Sequence, residues 1–140
     1  MPSPRRAHLS YRLLAAATAL LCFLIGTLFI TAFLDRALFQ VFARPLFETN
    51  YWGYYILAFA GSALVAWGGC LVAAVRDPVR ASGIGTATAA ALILAGILRL
   101  LAAYSGEYRL VDGQLRIEAG VLAIVALGFV WLKPARGDRP

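Results

Sequence analysis

The sequence predicts an all-α fold: an integral membrane four-helix bundle with both termini cytoplasmic and a short amphipathic interfacial helix after the first span. Three observations predict it. Of the 140 residues, 61% are hydrophobic and 14% charged, against roughly 45–50% and about 25% in a soluble domain, and the mean hydropathy is +0.77. Four separate apolar runs approach the ~20 residues needed to cross a ~30 Å hydrocarbon core. The Lys and Arg residues are distributed unequally between the two sets of connections. A soluble globule, a disordered chain and a secreted disulfide scaffold are excluded by the same numbers. The whole chain, 1–140, reads as one membrane domain.

The first span covers residues 13–34 and follows Arg5, Arg6, His8 and Arg12. It exceeds the roughly 7–15 apolar residues of a signal peptide and meets no small-residue cleavage site before Asp35, so it reads as a retained helix. The second covers 52–75 and stops at Arg76-Asp77-Pro78. The third covers 84–104 and contains a single charge, Arg99. The fourth, 117–132, is the shortest and must take its first residues from the interface or stand nearly upright.

Orientation follows from counting cations. The N-terminus, the connection between the second and third spans and the C-terminal tail carry eight: Arg5, Arg6, Arg12, Arg76, Arg80, Lys133, Arg136 and Arg139. The two remaining connections carry four: Arg36, Arg44, Arg109 and Arg116. The richer side is the cytoplasmic one. The net charge of +6 is therefore mainly an inner-face property suited to anionic lipid, not a nucleic-acid footprint.

Two connections carry further structure. In the first, Leu38, Val41 and Phe42 fall at helical spacing, which predicts the short interfacial helix, ended near Pro45. Tyr51, Trp52, Tyr54 and Tyr55 then form an aromatic belt at the start of the second span. In the other, Asp112-Gly113 suits a type I′ turn, alone or closing a small hairpin that would oppose Arg109 to Arg116.

Cysteine and histidine usage removes several chemistries. Cys22 and Cys70 lie deep in apolar runs with no C-x-x-C, which excludes the paired thiols of quinone-linked disulfide enzymes. Their depths differ by roughly 6 Å, which argues against a bond between them. His8 is the only histidine, so neither two axial haem ligands nor a Cys/His zinc site is available. No cofactor and no metal site are expected. Gly83-x-Gly85 lacks the preceding strand and third glycine of a nucleotide loop.

Arg99 is the sharpest feature. A charge within a span costs about 2.5–3.5 kcal/mol on insertion scales and is expected to face a partner or water. Gly83, Ala87, Ala91, Ala95, Arg99 and Ala103 recur every four residues, and this small-residue stripe is expected to turn Arg99 toward another helix. Thr18, Cys22 and Gly26, and also Gly61 and Gly68, are further packing positions. By depth, the partner of Arg99 is Glu118, in the first turn of the fourth span and favoured there by the helix dipole. Glu48 and Asn50 are expected to complete an outer-leaflet polar cluster. Arg99, Glu118, Asn50, Glu48, Tyr51 and Trp52 are thus the candidate ligand-binding residues, and no catalytic residue is assigned. The same pair also reads as a membrane-buried clasp that fixes helix register.

The Asn50-Tyr51-Trp52-Gly53 opening, the Gly96-Ile97-Leu98-Arg99 series, the Ser105-Gly106 and Asp112-Gly113 turns, and Glu118 together resemble the DoxX-like group of small bacterial membrane proteins over residues 50–132. The resemblance implies a four-helix bundle of the bacterial inner membrane. Some of its members are attached to quinone-linked sulfur oxidation or redox homeostasis, and it transfers no catalytic residue. Three functions remain open. The first is an accessory or scaffold protein beside a larger membrane complex. The second is a binder or carrier of a hydrophobic small molecule, lipid or quinone, through an outer-leaflet Arg/Glu site. The third is an intramembrane enzyme using Glu118.

The topology is testable by fusion. Periplasmic alkaline phosphatase is expected to be active after Glu48 or Asp112 and inactive after Pro78 or at the C-terminus; an active C-terminal fusion refutes the span count or its orientation.

Overall fold

The computed structural model describes residues 4–39, 47, 49–105 and 112–133. They form four α-helices: α1 Pro4–Leu34, α2 Tyr51–Arg76, α3 Ser82–Ser105 and α4 Asp112–Trp131. A π-helical turn, Asp35–Phe39, continues α1. All four helices are long and apolar enough to cross a membrane, over Leu9–Leu38, Trp52–Arg76, Ser82–Leu101 and Gly113–Trp131. Even the shortest, at 19 residues, rises about 28 Å. Each exposes large apolar side chains, among them Leu24, Phe59, Leu98 and Ile124. Such a surface suits hydrocarbon, in which only helices and closed barrels satisfy their backbones. The fold of the described residues is therefore all-helical, with four helices of the length and composition of membrane spans.

The helix ends are set by local chemistry. Asn50 caps α2, its Oδ1 accepting the Gly53 N–H at 2.9 Å. At the other end of α2, the carbonyl of Val75 is one of the four that a helix leaves unpaired, and the Arg12 guanidinium of α1 donates to it at 2.7 Å. Asp77 then accepts the Arg80 N–H at 3.1 Å, and this turn, which contains Pro78, delivers the chain into α3.

Asp112-Gly113 does not form the expected turn or hairpin: both residues belong to the first turn of α4. Starting at Asp112 gives α4 the length that 117–132 lacked. Of the interfacial helix, Leu38 is exposed within the π-helical turn, whereas Val41 and Phe42 lie outside the described residues. Tyr54 is not part of an exposed belt. It is buried, and its hydroxyl donates to the Phe47 carbonyl at 2.6 Å, while Trp52 and Tyr55 are exposed.

The chain divides into two compact units, Met1–Ala15 with Ala73–Pro140, and Ala16–Val72. In the first, α3 and α4 pack along most of their length. Successive contacts pair Arg99 with Glu118, Gly96 with Ala119 and Thr86 with Lys133. The partners advance along α4 as they retreat along α3, so the two helices are antiparallel. The beginning of α1 wedges onto this pair. Tyr11 is fully buried, its ring edge-on to Phe129 at 5.9 Å between centroids. Its hydroxyl lies against Gly85, where any side chain would collide with it, and forms no well-directed hydrogen bond among the described residues. Tyr11 therefore acts here through shape, and Gly85 makes the room. Leu14 fills the space beside Gly128 in the same way.

The small-residue stripe of α3 is a second correction. Gly83, Ala87 and Ala91 are exposed; the inward face carries Gly85, Thr88, Ala89, Gly96 and Ala103, with Arg99 half-buried. A four-residue step overshoots a 3.6-residue turn by about 40°, so a strict i+4 row winds off any single face within two or three turns. The buried residues Gly85, Ala89, Gly96 and Ala103 are separated by four, seven and seven, close to whole turns of 3.6, and so stay on one face. Ala119, Ala126 and Phe129 do the same on α4.

In the second unit, α1 and α2 approach at glycines. A Cβ on Gly26 would stand 2.7 Å from the Gly61 carbonyl oxygen, and one on Gly61 would stand 2.7 Å from that of Gly26. Gly68 likewise lies against the Phe23 ring and the Ala19 carbonyl. Such approach brings Cα–H groups onto facing carbonyls, and tight packing is what associates helices in lipid. Cys22 and Cys70 are both free thiols.

The glycine contact sets a mutational contrast. Gly26→Ala and Gly61→Ala should each destabilise the protein by about 1–3 kcal/mol, the range for overpacking. Gly69→Ala, with nothing within 4 Å of its Cβ position, should be neutral or stabilising. Unfolding midpoints in detergent, followed by circular dichroism, check the order.

Candidate functional site

The candidate site lies where α3 ends and α4 begins, within the first unit. Arg99 sits six residues before the end of α3, about 9 Å along the axis at 1.5 Å per residue. One turn earlier Gly96 faces Ala119, and its Cβ position is 3.5 Å from that residue's carbonyl oxygen. This small pair lets the two helices run close enough for the Arg99 side chain to cross to α4. Its Nε donates to Glu118 Oε2 at 2.8 Å. The other carboxylate oxygen, Oε1, accepts from Gln114 Nε2, also at 2.8 Å. Both ionised side chains remain 39% exposed, so the pair is screened from its surroundings on one side only.

Arg99 and Glu118 thus meet as their depths implied, but Glu118 is in the second turn of α4, not the first, because the helix starts at Asp112. Gln114 was not among the expected residues. The Gln114–Glu118 spacing of four is a helix-face signal, but it is legible only once Asp112-Gly113 is read as helix. Near the same end, the Arg116 guanidinium lies 5.6 Å from the centroid of the Tyr104 ring, a cation–π distance.

The other candidates have local roles in the second unit. Asn50 caps α2. Trp52 is 75% exposed and meets Tyr55 edge-on at 6.5 Å. Tyr51 opens α2, but its side chain, like Glu48, lies outside the described residues. Asp35 is buried at the end of α1 and has an interaction partner.

Chemically, Glu118 has one oxygen held by a cation and the other by a neutral amide. That arrangement suits a fixed counter-charge better than a proton carrier, which needs an oxygen open to its substrate. Among the described residues no group of three His, Cys, Asp or Glu side chains is placed to hold a metal. Comparison of the chain with family models, curated proteins and solved structures gives no match.

A double-mutant cycle measures the clasp. Arg99→Leu and Glu118→Leu should each lower the unfolding midpoint by several degrees, and the double variant should recover most of the loss, because neither charge is then left alone beside hydrocarbon. Additive losses would show that the two residues act independently.

Proposed function

We propose that this protein is a multi-pass accessory or scaffold protein of the bacterial inner membrane, DoxX-like in character, with both termini cytoplasmic, that packs beside a larger membrane complex. The observation carrying this reading is that the strongest polar group in the spans is spent internally: both oxygens of Glu118 are bound, by Arg99 and by Gln114. The same economy holds elsewhere in the first unit. Arg12 serves the Val75 carbonyl, and Lys133 donates to Thr86 Oγ1 at 2.8 Å. Polar groups placed this way hold helices in register. The exposed small residues Gly83, Ala87 and Ala91 on α3 support the reading further, since small side chains let a neighbouring helix approach closely in lipid.

Purification of the full chain in mild detergent should bring down one membrane protein in fixed proportion. Ala87→Phe and Ala91→Phe should detach that protein without changing the unfolding midpoint. A chain that purifies alone from cross-linked membranes, or a partner retained unchanged in both variants, would overturn the proposal.

A further inference from the structure

We propose that Arg99 binds the phosphate of a phospholipid headgroup from the leaflet nearest the α3–α4 end, with Glu118 as its built-in counter-charge. This goes beyond the scaffold reading and does not depend on a protein partner. The argument begins with the donors of the guanidinium. Arg carries five N–H groups, and the contact with Glu118 runs through Nε alone. The side chain is 39% exposed, which leaves room for the remaining donors to meet an acceptor other than Glu118.

Apolar side chains are exposed next to the pair: Leu98, adjacent to Arg99 on α3, is 57% exposed, and Ile117, adjacent to Glu118 on α4, is 70% exposed. The pair is therefore set into a surface made for acyl chains, where an N–H without an acceptor is costly. Arg99 is only about 9 Å of helix rise from the end of α3, within reach of the interface for a long side chain that keeps its stem in hydrocarbon and its head at the polar layer. The acceptors that layer holds in abundance are phosphate diesters. Two non-bridging oxygens match two parallel N–H groups of a guanidinium, and acyl chains of the same molecule would lie over Leu98 and Ile117.

Glu118 tunes this site. Its carboxylate already offsets one unit of charge on Arg99, and Gln114 holds it in place through Oε1. With Glu118 present the guanidinium is attractive to phosphate without being a bare cation in the membrane. Without it, Arg99 should hold an anionic lipid more tightly. A purely structural clasp predicts no such gain.

The test is native mass spectrometry of the full chain released from detergent after incubation with four probes: phosphatidylglycerol, phosphatidylcholine, diacylglycerol and inorganic phosphate. Both phospholipids should be retained, diacylglycerol and inorganic phosphate should not. Arg99→Lys, which keeps the charge and loses the fork, should weaken retention about tenfold, as expected from one lost charge-assisted hydrogen bond. Glu118→Gln should strengthen retention of phosphatidylglycerol. The Arg99→Leu/Glu118→Leu double variant, whose folding is checked by its unfolding midpoint, should retain neither phospholipid. Equal retention of diacylglycerol, unchanged retention in the folded double variant, or displacement of the lipid by inorganic phosphate would overturn the proposal.

Discussion

Hydrocarbon offers a polar group nothing to bond with, and it offers apolar side chains no reason to prefer one another over lipid. Both halves of that constraint run through this protein. Because burial of Leu against Leu gains little in lipid, the helices associate where atoms fit most closely: Gly26 on Gly61, Gly68 on Ala19 and Phe23, Gly96 on Ala119, Gly85 under Tyr11. Because unpaired polar groups are costly there, several of the side chains that carry them are tied to one another or to backbone carbonyls, as Arg99 is to Glu118 and Arg12 to Val75.

The beginning of α1 shows how few residues such a design needs. Within the first unit, Tyr11, Arg12 and Leu14 touch three other helices. Tyr11 meets α3 at Gly85 and α4 at Phe129, Arg12 completes the end of α2 at Val75, and Leu14 lies over Gly128 of α4. The wedge is mostly steric, with one hydrogen bond to a carbonyl that the α2 helix itself could not satisfy. At the opposite end of the same α3–α4 pair, Arg99, Glu118 and Gln114 hold the helices together by charge and hydrogen bond. One end is keyed by shape and the other by polarity. The polar end remains partly exposed, and it is on this exposure that the proposed lipid phosphate site rests.

Much of this was legible in the chain before any coordinates. Run length and composition mark the four helices, since a span must be about 20 residues long and almost free of charge. The Arg99–Glu118 contact follows from depth, because a late position on one helix and an early one on its antiparallel neighbour share a level. Gly26, Gly61 and Gly68 announce themselves as packing positions by size. The misreadings have physical causes. Asp-Gly fits both a turn and a helix start, and local preference cannot choose between them; in the structure Asp112-Gly113 opens α4 and completes its length. The i+4 row on α3 looked continuous in one dimension and winds off the face in three.

What the sequence by itself determined is which environment each segment tolerates: four helices of membrane-spanning length, a charge that must find a partner, and glycines where backbones can meet. What only the tertiary structure decided is who meets whom. That Gly85 receives Tyr11, that Val75 is capped from α1, and that Gln114 shares Glu118 with Arg99 depend on the axial register and rotation of each helix. The reason is that a helix repeats every 3.6 residues and satisfies its own backbone, so its sequence specifies a face and a depth. It leaves open which neighbour fills that face, and close packing in three dimensions makes that choice.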